Sequence, residues 1–190
     1  VIHSASKYLG GHSDVVAGVV AGSRQMIDRL RGETYPYLGG KLSPFDAWLL
    51  LRGLRTLPVR LERIAATTAN VLTHLATHPK VRHIHAPVAP HSSQPGLSAV
   101  QLHHASGLFS IELEVPDIAA IDRFCDALQR FLMAASWGGY ESLVFPVAGV
   151  RDWGSLKTAA SVPVNLVRFS IGLEEPDVLI ADLERGLAAI

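Results

Sequence analysis

The sequence predicts an α/β protein, on three observations. Apolar, often β-branched runs at residues 15–22, 107–115 and 162–173 have the length and composition of strands. Other stretches, at residues 44–64, 118–128 and 176–189, repeat apolar residues every three or four positions, as one face of a helix does. Strand, helix and strand gather toward the end of the chain, so its second part is expected to be an α/β sandwich.

Taken in order, residues 1–14 form a polar opening segment with two glycines. Residues 15–22 read as a buried strand, because they are all valine, alanine or glycine. A helix start is expected at residues 23–30 and a turn or loop at residues 35–40, which hold one proline and two glycines. Ser43, Pro44 and Asp46 then supply an N-cap, a proline at the first helical position and an acid in the first turn. Leu50, Leu54, Leu57, Leu61 and Ile64 make the apolar stripe of that helix, with Arg52, Arg55, Arg60 and Arg63 mostly off it. Pro58, near Gly53, is expected to kink it. The domain boundary is placed there, between residues 1–55 and 56–190.

Helix is expected to continue over residues 65–78 and to stop before Pro79. Residues 81–88 read as a strand, 87–96 as a loop and 107–115 as a second strand. Ile118, Ile121, Phe124, Cys125 and Leu128 form the next helical stripe, so Cys125 reads as core and not as a nucleophile. Residues 162–173 are expected to be a strand, and a closing helix over 176–189 turns Val178, Leu179, Leu183 and Leu187 inward. There is no internal repeat and no low-complexity tract.

Composition narrows the function classes. At 190 residues, 48% hydrophobic and 18% charged, the chain can bury one or two real cores. Seventeen basic and seventeen acidic residues cancel, so no strong field favours nucleic acid or an anionic membrane. A single cysteine excludes an internal disulfide framework and fits a reducing cytoplasm. No apolar run of membrane-spanning length and no charged-then-apolar leader is present, which argues against membrane insertion or export.

Chemistry concentrates first in the opening segment. Lys7 stands beside Ser6 and three residues after Ser4, with Gly10 and Gly11 following. An amine in a packed environment loses part of its preference for the charged form, and the neutral amine is the form that attacks a carbonyl. If the segment is extended, Ser4 and Ser6 point to one face and Lys7 to the other. Two hydroxyls beside a reactive amine suit a phosphate beside an aldehyde, the combination found in pyridoxal phosphate. A surface lysine in a polar loop is the plain alternative.

Two later stretches carry further candidates. Ser136, Trp137, Gly138 and Gly139 put a hydroxyl and a large aromatic next to glycines that let backbone amides approach a ligand; a tight turn around a packed tryptophan explains them equally. Arg168 interrupts an apolar strand, where a guanidinium is costly unless paired. Its rigid fork suits a substrate carboxylate or a structural ion pair. His74, His78, His83 and His85 lie close in sequence, but a zinc site needs a complete ligand set, and Cys125 is far away with a core explanation. No metal is expected. His3 and His12, flanking the lysine, read as packing or hydrogen-bonding groups.

Residues 3–14, His-Ser-Ala-Ser-Lys-Tyr-Leu-Gly-Gly-His-Ser-Asp, resemble the lysine segment of the cystathionine lyase and synthase (Cys/Met metabolism) family of pyridoxal-phosphate enzymes. Members usually carry threonine at the Ser6 position, a change that keeps the hydroxyl. Residues 136–143, Ser-Trp-Gly-Gly-Tyr-Glu-Ser-Leu, and the Val-Arg-Phe-Ser-Ile-Gly pattern at 167–172 resemble the family as well, and the former is similar to its bacterial cystathionine β-lyase branch.

The resemblance implies fold type I of the pyridoxal-phosphate transferases, like aspartate aminotransferase. Residues 1–55 would end the large cofactor-binding domain and residues 56–190 form the small C-terminal domain. It further implies Lys7 as the catalytic lysine, with Ser4 and Ser6 as cofactor ligands. Ser136, Trp137 and Arg168 are implied to hold the substrate's α-carboxylate. The implied activity is a carbon–sulfur lyase of sulfur amino-acid metabolism, most simply β-elimination on cystathionine, with γ-elimination or γ-replacement as alternatives. A cytoplasmic homotetramer, a dimer of dimers, is the implied assembly. In the family a large segment precedes this lysine and carries the remaining cofactor contacts, so the chain is expected to be the C-terminal part of something longer. A non-catalytic fragment is the alternative from another class.

Overall fold

A computed structural model describes residues 1–88, 90–102, 104–150 and 162–190. It divides into two compact units, Val1–Val59 and Arg60–Ile190.

In the first unit, β1 (Ile2–Ser4) pairs antiparallel with β2 (Gly18–Val20), Ile2 opposite Val20 and Ser4 opposite Gly18. The strand expected over residues 15–22 is shorter and not buried: all three residues of β2 are exposed. Among the described residues it pairs only with β1, and its valines Val19 and Val20 are 36% and 48% exposed. Helix α1 (Arg24–Arg29) is capped by Ser23, whose Oγ accepts from Met26 N at 3.3 Å. The chain stays helical through a π-type turn, Leu30–Thr34, into α2 (Tyr35–Leu38). Where a loop is expected at residues 35–40 there is thus a helical turn, with Pro36 in its first turn and Gly39 stopping it at φ +64°.

Helix α3 (Pro44–Arg55) starts as its sequence predicts, with Ser43 Oγ accepting from Asp46 N at 3.1 Å. The kink expected at Pro58 is a full break. Thr56 caps α3, and α4 (Leu57–Leu75) restarts with Pro58 in its first turn, where the missing N–H has no partner to lose. The division between the units falls within that same turn.

The second unit is built on a five-stranded sheet of order β3-β4-β7-β6-β5, comprising β3 (Val81–His85), β4 (Leu108–Leu113), β5 (Leu132–Met133), β6 (Leu143–Pro146) and β7 (Leu166–Ser170). All pairings are antiparallel except β5 with β6. The same unit carries α5 (Pro95–Gln101), α6 (Ile118–Ala127) and α7 (Pro176–Ala188). α5 lies where the sequence shows only a loop and unassigned residues, because Leu97 and Val100 are exposed and leave no inward stripe to read. β3, β4 and β7 are each shorter than the runs at 81–88, 107–115 and 162–173.

Burial alternates along β4, with Phe109, Ile111 and Leu113 inward, and Val167 and Phe169 follow the same face on β7. Phe169 is the centre of that core: Phe109 stacks on it at 5.5 Å, and Phe124 and Phe131 meet it edge-on at 6.3 and 5.2 Å. α7 packs closely on α6 because Gly186 has no side chain; a Cβ there would stand 2.8 Å from the Phe124 ring. Asp182, 1% exposed, accepts from the backbone amides of Gln129, Arg130 and Phe131 and so fixes the exit of α6 into β5. Cys125 lies in this core, 6% exposed, and burial together with Asp122 and Asp126 pushes its thiol pKa up to about 12. No helix among the described residues is long and apolar enough to cross a membrane.

Candidate active site

Residues singled out from the sequence fall into two groups, one in each unit. In the first unit β1 ends at Ser4 and the chain enters a π-type turn, Ala5–Leu9, with Ala5 fully buried. Lys7, half-buried, interrupts the turn with φ −89° and ψ −128°, outside helical values. Gly10 N donates to Ala5 O at 2.8 Å and Gly11 N to Lys7 O at 2.7 Å, so both sides of the lysine are held by backbone bonds. Helix α3 presses on this turn at Gly53. A Cβ there would lie 2.2 Å from Gly10 O and 2.9 Å from Leu9 O, so only glycine admits the approach. Arg52 adds an ion pair with Asp14 at 3.0 Å.

The extended reading of residues 4–7 is corrected by this turn: alternation stops at Ser4 with the strand. Ser4 is exposed on β1. Ser6 turns its hydroxyl to Ala17, accepting from Ala17 N at 2.8 Å and donating to Ala17 O at a longer 3.3 Å. His12 contacts Gly10 O through Nδ1 at 2.7 Å, and His3 lies on β1 opposite Val19.

In the second unit Arg168 sits at the middle of β7, flanked in register by Ser110 on β4 and Phe145 on β6. Directly opposite residues share a sheet face, and this face is the half-exposed one, away from Phe169. The cost expected for a guanidinium buried in an apolar strand is therefore reduced by its position on the open face. Its Cζ lies 5.1 Å from the centre of the Phe145 ring and 5.7 Å from that of Trp137. Nη2 donates to Ser136 O at 3.3 Å. The structure thus brings Ser136, Trp137 and Arg168 together. Partial burial lowers the pKa of Arg168, which still stays cationic at neutral pH. It forms no ion pair with an acid among the described residues. Phe145 is not singled out by the sequence; its signal is the register that places it opposite Arg168.

The histidines have other partners. His74 contacts Glu184 at 2.6 Å and His85 contacts Glu112 at 2.7 Å. Among the described residues no three His, Cys, Asp or Glu side chains are grouped to hold a metal ion. Lys80 donates to Leu187 O at 2.7 Å and to Ile190 O, closing the end of α7. Lys157 lies outside the described residues.

Over its full length the fold matches cystathionine γ-synthase from Xanthomonas oryzae pv. oryzae, solved with aminoacrylate and cysteine (TM-score 0.90, 38% identity, 49% of that chain), and cystathionine γ-lyase from Lactobacillus plantarum, solved with L-serine (TM-score 0.90, 34% identity, 50% of that chain). The architecture is that of the fold type I pyridoxal-phosphate enzymes. L-Methionine γ-lyase of Pseudomonas putida is 39% identical over the whole chain, which covers 48% of that protein. The chain belongs to the Cys/Met metabolism PLP-dependent enzyme family, whose sequence model matches residues 1–188. It spans about half the length of these relatives.

Proposed function

We propose that this chain supplies the reactive lysine and the substrate-carboxylate clamp of a pyridoxal-phosphate enzyme acting on the carbon–sulfur bond of a sulfur amino acid. Arg168 carries the reading: a cation within reach of two rings on an open sheet face, with no acidic partner among the described residues, is placed for an anion from outside. An α-carboxylate matches its fork. Residues 1–55 are proposed as the end of the cofactor-binding domain and residues 56–190 as the small domain.

The lysine turn fits the cofactor through its donors. Ser6 can keep its acceptor bond from Ala17 N while turning its proton from the longer Ala17 O contact to a phosphate. Ser4 offers a second hydroxyl from the strand before it. When bound, the cofactor draws electron density away from the substrate's α-carbon. Lys7 would hold the cofactor through Nζ, and the same nitrogen, when free, would serve as the base for the substrate's α-proton. Arg168, Ser136 and the backbone near Trp137 grip the carboxylate and limit rotation about the α-carbon.

After that shared step, the relatives' names, γ-synthase and γ-lyase, support reaction at Cγ, by elimination or replacement. β-Elimination, suggested by the Trp137 form of the 136–143 segment, is the second reading. A homo-oligomer belongs to the same proposal, supported by the exposed Tyr37, Leu38, Phe45 and Trp48 of the first unit, which suit burial against further protein; a cytoplasmic location is proposed with it. Cystathionine distinguishes the branches. With the intact protein and uptake of water, γ-elimination of cystathionine yields cysteine, 2-oxobutyrate and ammonia, and β-elimination yields homocysteine, pyruvate and ammonia. 2-Oxobutyrate is the expected keto acid; pyruvate alone would establish the second reading. No turnover of any sulfur amino acid by the cofactor-loaded protein, and no replacement of the γ-substituent of an activated homoserine by a thiol, would sink both.

A further inference from the structure

The segment between β5 and β6 bears half of the Arg168 clamp but has no regular structure of its own. Its anchorage comes from β7 and the residues just after it. Gly138 N donates to Ser170 Oγ at 3.3 Å, and Leu173 N donates to Tyr140 O at 2.8 Å. Ser142 makes the tightest tie. Its backbone N–H donates to one oxygen of Glu174 at 2.8 Å, its hydroxyl donates to the other at 2.7 Å, and the same hydroxyl accepts from Gly172 N at 2.9 Å.

Ser142 is fully buried, so these bonds face no competition from water. A hydroxyl has one proton, and here the carboxylate takes it while a backbone amide fills a lone pair. The two-point grip on one residue fixes both its position and its rotation. Gly172 completes the fit, since a Cβ there would stand 2.2 Å from Tyr140 O. Arg63 of α4 holds the same corner from outside, donating to Glu174 O at 3.3 Å and pairing with Glu175 at 2.8 Å.

We infer that Glu174, acting through Ser142, is a positioning residue for the carboxylate clamp. The segment is fastened at both ends, by Arg168 of β7 at Ser136 O and by Glu174, just after β7, at Ser142, with Trp137 and the Gly138 and Gly139 amides between. Releasing the second fastening leaves Arg168 in place but lets the other half of the clamp drift. The inference rests on Arg168 binding the substrate carboxylate.

The test uses the cofactor-loaded intact protein and two competitive inhibitors, a substrate-like amino acid and the amine that lacks its carboxylate. The ratio of their inhibition constants reports the clamp alone. Glu174→Gln, which keeps the shape but loses one acceptor, should lower the preference for the amino acid about tenfold, in keeping with the sensitivity of positioned groups to small displacements. The amine's own constant should not move. Ser142→Ala should act in the same direction, and neither effect should add fully to that of Arg168→Lys. An unchanged preference in both folded variants, with a lowered one in Arg168→Lys, would overturn the inference and leave the clamp standing. An unchanged preference in Arg168→Lys would remove the clamp itself. If Glu174→Gln fails to fold, Ser142→Ala decides, and failure of both to fold would assign the pair to stability and contradict a positioning role.

Discussion

The lysine turn and the arginine corner solve the same problem, placing one nitrogen-bearing side chain, by different means. Lys7 is held by its own backbone: amides of Gly10 and Gly11 close on the carbonyls of Ala5 and Lys7, and α3 bears on the turn through Gly53. Arg168 is held by groups brought in from elsewhere in the chain: the Phe145 ring on β6, and the Trp137 ring and Ser136 carbonyl of the segment between β5 and β6. The backbone arrangement closes the turn with main-chain bonds. The aromatic one suits a cation that stays charged and receives a carboxylate.

The largest expected effect falls on the first region. Lys7→Ala in the intact protein should abolish turnover and the visible absorbance of lysine-bound cofactor. The fold should persist, because the turn's bonds are made by backbone atoms. Full activity in that variant would remove Lys7 from the chemistry. Next in size is Gly53→Ala. The added methyl meets Gly10 O at 2.2 Å, so α3 or the turn must move, at a cost of about 1–3 kcal/mol by analogy with overpacked cores. Denaturant unfolding beside cofactor titration checks it, and unchanged values in both would mean that the turn yields freely.

Ser4→Ala and Ser6→Ala should each weaken cofactor retention by about 0.5–1.5 kcal/mol, one hydroxyl's share of a phosphate site. Ser6→Ala should also lower stability slightly, since Ala17 N loses its acceptor. Equal cofactor affinity in the double variant would make both hydroxyls structural. The smallest effect concerns Cys125, whose folded pKa is raised to about 12 from an ordinary value of 9.0. Below pH 9 its neutral form costs nothing, and between 9 and 12 only the unfolded chain gives up the proton, so stability contributed by this group falls as pH rises through that window. Native protein at pH 8 should resist thiol alkylation. Rapid labelling without unfolding would show that the α6 core opens.

Legibility in the sequence followed the same division. The lysine motif is contiguous, so Ser4, Ser6 and Lys7 could be singled out together, yet the end of β1 at Ser4 was invisible because nothing in the Ser-Ala-Ser spacing announces a π-type turn. The start of α3 was legible from Ser43 and Pro44, but of its expected stripe Leu54 and Leu61 are exposed while Arg60 is buried; the stripes of α6 and α7 hold except for the exposed Ile118 and Val178. β5 and β6, of two and four residues, are too short for a period to show. Phe145 depends on strand register, and the Ser142–Glu174 tie joins positions 32 apart. No local pattern encodes either one.

Arg168 offers the most direct measurement, a thermal melt beside steady-state kinetics on Arg168→Lys and Arg168→Ala. A clamp open to water when empty predicts little change in melting for either variant. Catalytic efficiency of Arg168→Lys should fall about 10- to 100-fold, because lysine keeps the charge but cannot make the two parallel hydrogen bonds of the guanidinium fork. A structural cation behaves in the opposite way: Arg168→Ala would lower the melting point sharply, and Arg168→Lys would keep near-normal efficiency. That second pattern would contradict the assignment of Arg168 to the substrate's carboxylate.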